Sequence, residues 1–194
     1  MHFSFPVALF YLATGAYSYV AFPPPTAVER SPPTIAERDL ATATSVLADV
    51  RNGFDALSKA ADEFNGDPAP LTAAASKLLE DVESGTTAIN NMTPLSFFEC
   101  LSLIDPAKKV GVQGQALADK LKSRKADVAK AKQCTVVHGF LDRGVSDSTA
   151  LIAAIVKKVP SSLRGTVQDE GDKIVQTLKD AREEFAPGNC VDAV

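Results

Sequence analysis

The sequence predicts an all-α fold, an up-down antiparallel bundle of about five long helices, and three observations predict it. Apolar residues recur at alternating steps of three and four in five separate stretches, the spacing that lines one face of a helix. Capping residues and prolines punctuate the chain between these stretches. No stretch alternates apolar and polar residues over the length of a strand. Long amphipathic helices with short connections bury every stripe by packing lengthwise against one another.

Residues 3–20 are apolar and uncharged and run into a proline-rich segment. That is the pattern of a signal peptide, with Ala16-Tyr17-Ser18 as the small-x-small cleavage site and residues 1–18 removed. A signal anchor is the alternative, since about 18 apolar residues can just span a bilayer; Pro6, Gly15 and the small cleavage residues favour removal. Residues 19–38 hold Pro23, Pro24, Pro25, Pro32 and Pro33, which forbid helix and suit an extended linker or short pro-segment. Arg30 and Arg38 are single-basic processing points within it.

The bundle is expected over residues 39–186. Asp39 is read as the N-cap of the first helix, whose stripe is Leu40, Ala43, Leu47, Val50, Phe54, Leu57, Ala61 and Phe64, with Asn65-Gly66 as the stop. At 1.5 Å per residue that stripe runs about 38 Å, so its partners must be comparably long. Asp67 and Pro68 open a second helix carrying Leu71, Ala75, Leu78, Val82, Gly85, Ile89 and Met92. Thr93-Pro94 repeats the cap-plus-proline signature for a third, with Ser96, Cys100, Leu103, Ala107, Val110, Gly114, Leu117 and Leu121 on its stripe. Pro106 lies inside this helix and predicts a kink near it, because proline removes one backbone hydrogen bond and crowds the preceding turn. The basic, alanine-rich residues 122–132 hold a break near Lys125. A fourth helix carries Val137, Leu141, Gly144, Ser148, Leu151 and Ile155 and ends at Val159-Pro160. Ser161 or Ser162 caps a fifth, with Leu163, Val167, Ile174, Leu178, Ala181 and Phe185, closed by Pro187-Gly188; residues 187–194 are a tail.

Composition removes several classes of function. A net charge of −4, with lysines and acids interleaved along the helices, leaves no basic footprint for nucleic acid. All three tyrosines fall in the first 22 residues and there is no tryptophan, so a stacked aromatic platform has no material. His138 is the one histidine after the signal segment; with Asp142 one turn on it makes a helical i, i+4 pair, yet no G-x-S-x-G or comparable nucleophile motif accompanies it. There is no C-x-x-C and no H-x-x-x-H, so neither metal nor other cofactor is expected, and the chain reads as no enzyme. The lysines between Lys120 and Lys132 are read as a solvated helix face, a polyanion or anionic-lipid patch being the alternative, since Asp127 is mixed in. Asn91-Met92-Thr93 is a glycosylation sequon in the turn between the second and third helices, followed by Pro94.

Three cysteines allow at most one intramolecular bridge. If the helices alternate in direction, Cys100 lies at one end of the bundle, while Cys134, opening the fourth helix, and Cys190, following the fifth, lie at the other. The expected pair is Cys134 with Cys190, and Cys100 is a buried thiol on its stripe; three unpaired thiols are the alternative.

Glycines inside the helices, among them Gly53, Gly85, Gly114, Gly144 and Gly171, each cost up to about 1 kcal/mol relative to alanine. Close helix packing explains them; so does a loose core with room for an apolar guest. Such a guest would touch Phe54, Leu78, Val82, Ile89, Leu103, Leu117, Leu141, Leu151, Ile155, Ile174 and Leu178, residues taken from the stripes and not from any motif.

Several segments resemble a known family: D-x-x-x-x-x-x-V-L-A-D-V-x-x-x-F-D-A-L in the first helix, D-P-A-P-L-T-A-A-A-S-K-L-L into the second, K-L-K-S-R-K, and A-L-I-A-A-I-V-K-K-V-P ending at Pro160. They are similar to the fungal hydrophobic surface-binding protein A family, which includes the cell wall galactomannoproteins. The resemblance spans residues 39–185 and implies a secreted, non-catalytic helical protein of the medium or cell wall. It implies that the partner is a fatty acid or other apolar ligand held between helices, or a hydrophobic surface. Burying a 16-carbon chain at about 0.8 kcal/mol per CH2 gives on the order of 12 kcal/mol before binding costs, so little polar recognition is needed. A structural wall antigen or secreted effector with a protein partner and a dry core is the alternative.

Overall fold

The computed structural model describes residues 33–193. The expected signal segment, most of the proline-rich segment and Arg30 lie outside the described residues. Among the described residues the fold is all-α, with no strand: α1 (Ile35–Asp62), α2 (Ala69–Asn91), α3 (Phe97–Ser123), a short α4 (Lys125–Lys130), α5 (Cys134–Lys158) and α6 (Arg164–Glu184). The break expected near Lys125 is there, but the basic segment after it folds into the extra turn of α4.

α1 starts five residues before the expected point. Thr34 is its cap: its hydroxyl accepts from the Glu37 backbone N–H at 3.2 Å, and the Glu37 carboxylate accepts from the Thr34 N–H at 2.8 Å. This reciprocal T-x-x-E box satisfies two of the N–H groups a helix start leaves open. Asp39 is therefore not a cap. It is buried, and its carboxylate accepts from the Thr93 hydroxyl and from the Thr93 backbone N–H at 2.9 Å, which ties the first turns of α1 to the α2–α3 turn. Thr93, so engaged, does not cap α3 either; Ser96 does, in a second box with Glu99. The expected serine cap of the last helix is also absent, because α6 starts at Arg164 with no side-chain cap. Asp67 does receive the Ala69 N–H at 3.0 Å at the start of α2.

α1 packs on α2 and α3, α2 on α5, α5 on α6, and α6 on α3, so the five long helices close a ring around one apolar interior. α3 is helical from end to end through Pro106 and does not split there. Thr93 meets Asp39 at one end of the ring, where Lys158 also donates to the carbonyls of Asn90 and Met92. Arg124 donates to the Phe64 carbonyl at the other.

The stripe of α2 is buried much as its spacing predicts, with Leu79 added; on α1, Ala43, Val50, Leu57 and Ala61 are buried as expected, and the stripe shifts by one position in places. Val46 and Gly53 face inward where Leu47 and Phe54 were expected to lead, and the latter two sit half-buried at its flank. The cause is close approach to α2. A Cβ on Gly85 would stand 2.7 Å from Val46 Cγ1, so the two helices touch where a side chain is missing. α5 and α6 meet in the same way at Gly171, under Ile152.

The predicted pairing is present: Cys134 and Cys190 form a disulfide with a Cα separation of 5.6 Å, and Cys100 is a buried free thiol that burial pushes above the usual thiol range. Residues 187–193 are held against the bundle. Besides the disulfide, Asp192 accepts from the Cys134 N–H at 3.0 Å, capping α5 from the far end of the chain, and the Ala193 N–H donates to the Ala129 carbonyl at 2.9 Å.

Candidate functional site

The interior of the ring is the one place where the expected lining residues come together. Leu78, Val82, Ile89, Leu117, Leu141 and Leu151 are buried in a single cluster, with Phe54, Leu103, Ile155 and Leu178 packed half-buried against it. Ile174 is half-buried outside that cluster, facing α3 at Gly111. Val46 and Val50 belong to the same interior and were not expected as lining, and Leu79 is buried outside that cluster near Gly144. Asp39 is the one charged or polar side chain buried among the described residues.

A small, partly open apolar space lies at the end of the bundle where α1, α2, α3, α4 and α5 converge, and its volume is about 30 Å3. That is room for about two waters; a cavity that admits benzene is about 150 Å3. Phe64, Leu71, Leu121, Val128, Val137 and Phe140 form its apolar wall, and Arg124 is the sole charged residue lining it, with Gln133 and Thr72 adding neutral polar groups. Arg124 sits in the basic run that the sequence suggested was a solvated face, so only the tertiary arrangement marks it.

Helix contacts are not equally tight around the ring. A methyl at Gly85 or Gly171 would overlap Val46 or Ile152, whereas one at Gly114 would meet the Phe54 ring at 3.5 Å and one at Gly111 would meet Ile174 at 3.9 Å, both ordinary contacts. α1 with α2, and α5 with α6, are thus interlocked pairs, and α3 lies against its neighbours with less interdigitation. The same helix exposes Phe97, Phe98, Leu101 and Ile104 over its first two turns, with Phe98 80% exposed and the two phenylalanine rings edge to face at 5.9 Å.

Polar groups elsewhere do not converge. Asp142 pairs with Arg182 at 2.8 Å and not with His138. An open recess of about 450 Å3 between α2 and α5 is lined by Glu83, Ser84, Thr86, Thr87, Asp147 and Ala150. Burial pushes the Asp147 carboxyl above the usual range, with Arg143 opposing the rise and Glu83 adding to it. Among the described residues no three His, Cys, Asp or Glu side chains are grouped to hold a metal ion, and no helix is long and apolar enough to cross a membrane. Asn91, last residue of α2, is exposed.

These features define an apolar-cored helical bundle whose polar groups serve caps and surface pairs. The chain belongs to the hydrophobic surface binding protein A family, whose sequence model matches residues 40–157. It is similar to cell wall mannoprotein 1 of Aspergillus fumigatus, 30% identical over 132 residues, which are 68% of this chain and 46% of the relative. The chain thus spans about half the length of that relative. Among solved structures it resembles ligand binding domain 1 of the Penicillium marneffei MP1 protein complexed with arachidonic acids, with a TM-score of 0.75 and 22% identity, covering 77% of this chain and 100% of that one. It also resembles AFMP4P in complex with palmitic acid, with a TM-score of 0.72 and 20% identity, covering 76% of this chain and 99% of that one. At these identities the likeness is one of fold.

Proposed function

We propose that this chain is a secreted, non-catalytic binding protein of the medium or cell wall that holds fatty-acid-like lipids between its helices. The observation that carries the reading is the interior: a ring of five helices lined by aliphatic side chains, in the fold of domains solved with arachidonic and palmitic acids. The apolar space of about 30 Å3 is far too small for an acyl chain, so uptake requires one wall to move. α3 is that wall, because neither its contact at Gly111 nor that at Gly114 shows overlap, whereas each of the other long helices is interlocked with one neighbour even though α5 meets α2 at Gly144 with similar slack. Consecutive long helices alternate in direction, a reading supported by the contacts that gather Asp39, Thr93 and Lys158 at one end and Phe64 and Arg124 at the other. α3 bends at Pro106, where the ring removes the N–H that Ser102 would receive. The lining is the set named from the stripes, and Asn91 carries a glycan.

Extraction of the purified secreted protein, followed by mass spectrometry, tests the central claim. Recovery of about one acyl chain per protein is expected. A protein that is empty after every preparation and has no affinity for fluorescent fatty acids overturns the reading in favour of a structural antigen or effector with a dry core.

A second mode, adsorption to hydrophobic surfaces, is favoured by the exposed face of α3. Phe97, Phe98, Leu101 and Ile104 make a patch that a soluble chain has little reason to leave in water. Phe98→Ser with Leu101→Ser is expected to reduce adsorption to polystyrene or wax and leave fatty-acid binding intact; unchanged adsorption removes this mode.

A further inference from the structure

We infer that Arg124 is the anchor for the ligand's carboxylate, so that a fatty acid enters at the end of the bundle where α3 meets α4 and lies with its chain along the interior. The inference rests on the lipid-binding reading above and adds a polarity and a headgroup class to it.

The space at that end is lined by apolar side chains except at Arg124, Gln133 and Thr72. Its wall continues into the core on three helices: Leu121 stands one turn from Leu117 on α3, Val137 one turn from Leu141 on α5, and Leu71 two turns from Leu78 on α2. A chain started at Arg124 therefore meets aliphatic side chains all the way along the bundle axis. α2 and α5 are 23 and 25 residues long, or roughly 35 Å at 1.5 Å per residue, longer than an extended 16-carbon chain needs.

Arg124 is held ready. Its Nη2 donates to the Phe64 carbonyl at 2.8 Å, which fixes the guanidinium plane over the cavity mouth. Its Nε forms an ion pair with the Asp127 carboxylate at 3.0 Å, outside hydrogen-bond alignment. A guanidinium has five N–H donors, so most remain available beside an apolar space. A carboxylate arriving beside the apolar space would meet the guanidinium donors that Phe64 and Asp127 leave free, through charge-assisted bonds.

The test compares equilibrium binding of palmitate and of methyl palmitate to the full secreted protein and to Arg124→Gln and Arg124→Lys. Wild type is expected to prefer the acid. Arg124→Gln is expected to weaken palmitate by about 10- to 100-fold and to leave methyl palmitate within about twofold; Arg124→Lys, which keeps the charge, is expected to recover most of the loss. Equal weakening of both ligands, or palmitate binding unchanged by Arg124→Gln, overturns the anchor while leaving lipid binding in place. If wild type binds neither ligand, the lipid-binding reading falls with it. Should Arg124→Gln fail to fold, Arg124→Lys and the wild-type preference decide: equal affinity of wild type for acid and ester refutes the anchor.

Discussion

Gly171→Ala is the substitution whose outcome the α5–α6 contact determines most directly. Its Cβ would stand 2.4 Å from Ile152 Cγ2, 3.1 Å from Cγ1 and 3.2 Å from Cδ1, where carbon atoms normally rest at about 3.5–4.0 Å. Ile152 cannot easily turn away, because a β-branched side chain on a helix has one strongly preferred rotamer. Overpacking of this kind costs about 1–3 kcal/mol, and overlap with three atoms puts it at the upper end. Alanine returns up to about 1 kcal/mol in helix propensity. The net expectation is a loss of about 2 kcal/mol, or a fall in Tm of about 4–8 °C for a domain of this size. Denaturant unfolding with the disulfide intact measures it, in a double-mutant cycle with Ile152→Ala, which removes all three offending atoms. In the Ile152→Ala background the same Gly171→Ala change is expected to be stabilising by up to about 1 kcal/mol, giving a coupling of about 3 kcal/mol. Gly139→Ala is the control: nothing lies near its Cβ position, and it is expected to stabilise by up to about 1 kcal/mol. A neutral Gly171→Ala, or an equal loss in both backgrounds, refutes the interlocked pair and with it the assignment of α3 as the moving wall.

Removing the bridge with Cys134→Ser and Cys190→Ser frees a loop closed over a separation of 56 residues, for which chain entropy predicts a loss of about 4 kcal/mol; chemical unfolding of the double variant reads it, and a loss below about 1 kcal/mol contradicts the account. Lys132 has φ of 59°, the left-handed region, at the end of α4, so Lys132→Gly is expected to raise stability by about 0.5–1 kcal/mol, and a lower Tm contradicts it. The Asp39 carboxyl is held below the usual carboxylate range by the Thr93 hydroxyl first, then by the Thr93 N–H and Arg38. A lowered folded-state pKa means its stabilisation is complete above about pH 4 and is lost as the pH falls through the folded value. The Tm gap between wild type and Asp39→Asn is therefore expected at neutral pH and should close toward pH 2; a gap independent of pH assigns the effect to shape instead of charge.

The elements were legible where the information is local. Apolar spacing on α2, the Val159-Pro160 stop and the cysteine pairing implied by alternating helices all follow from residues near one another or from simple topology. Asp39 was misread because the group it binds, Thr93, lies 54 residues away; as an isolated letter before an apolar run it looks like a cap. Thr34-x-x-Glu37, the box that does start α1, was passed over beside Pro32 and Pro33. On α1 the stripe shifted locally, Val46 replacing Leu47, because Val46 seats itself on Gly85, a contact no periodicity encodes. Residues 187–193 looked like a tail because Cys190 and Asp192 act on α5, far back in the chain.

Sequence alone determined the class: all-α, apolar-cored, with too few convergent polar groups for catalysis to be expected, and a set of aliphatic residues destined for one interior. Side-chain pattern suffices for this, because burial is set by hydrophobicity and helical period, which are local properties. Tertiary structure alone decided which glycines are seats for a neighbouring helix and which leave slack, how little free space the apolar end of the bundle holds, and that Arg124 lines that space. Those depend on distances between helices of a few tenths of an ångström, and only packing sets them.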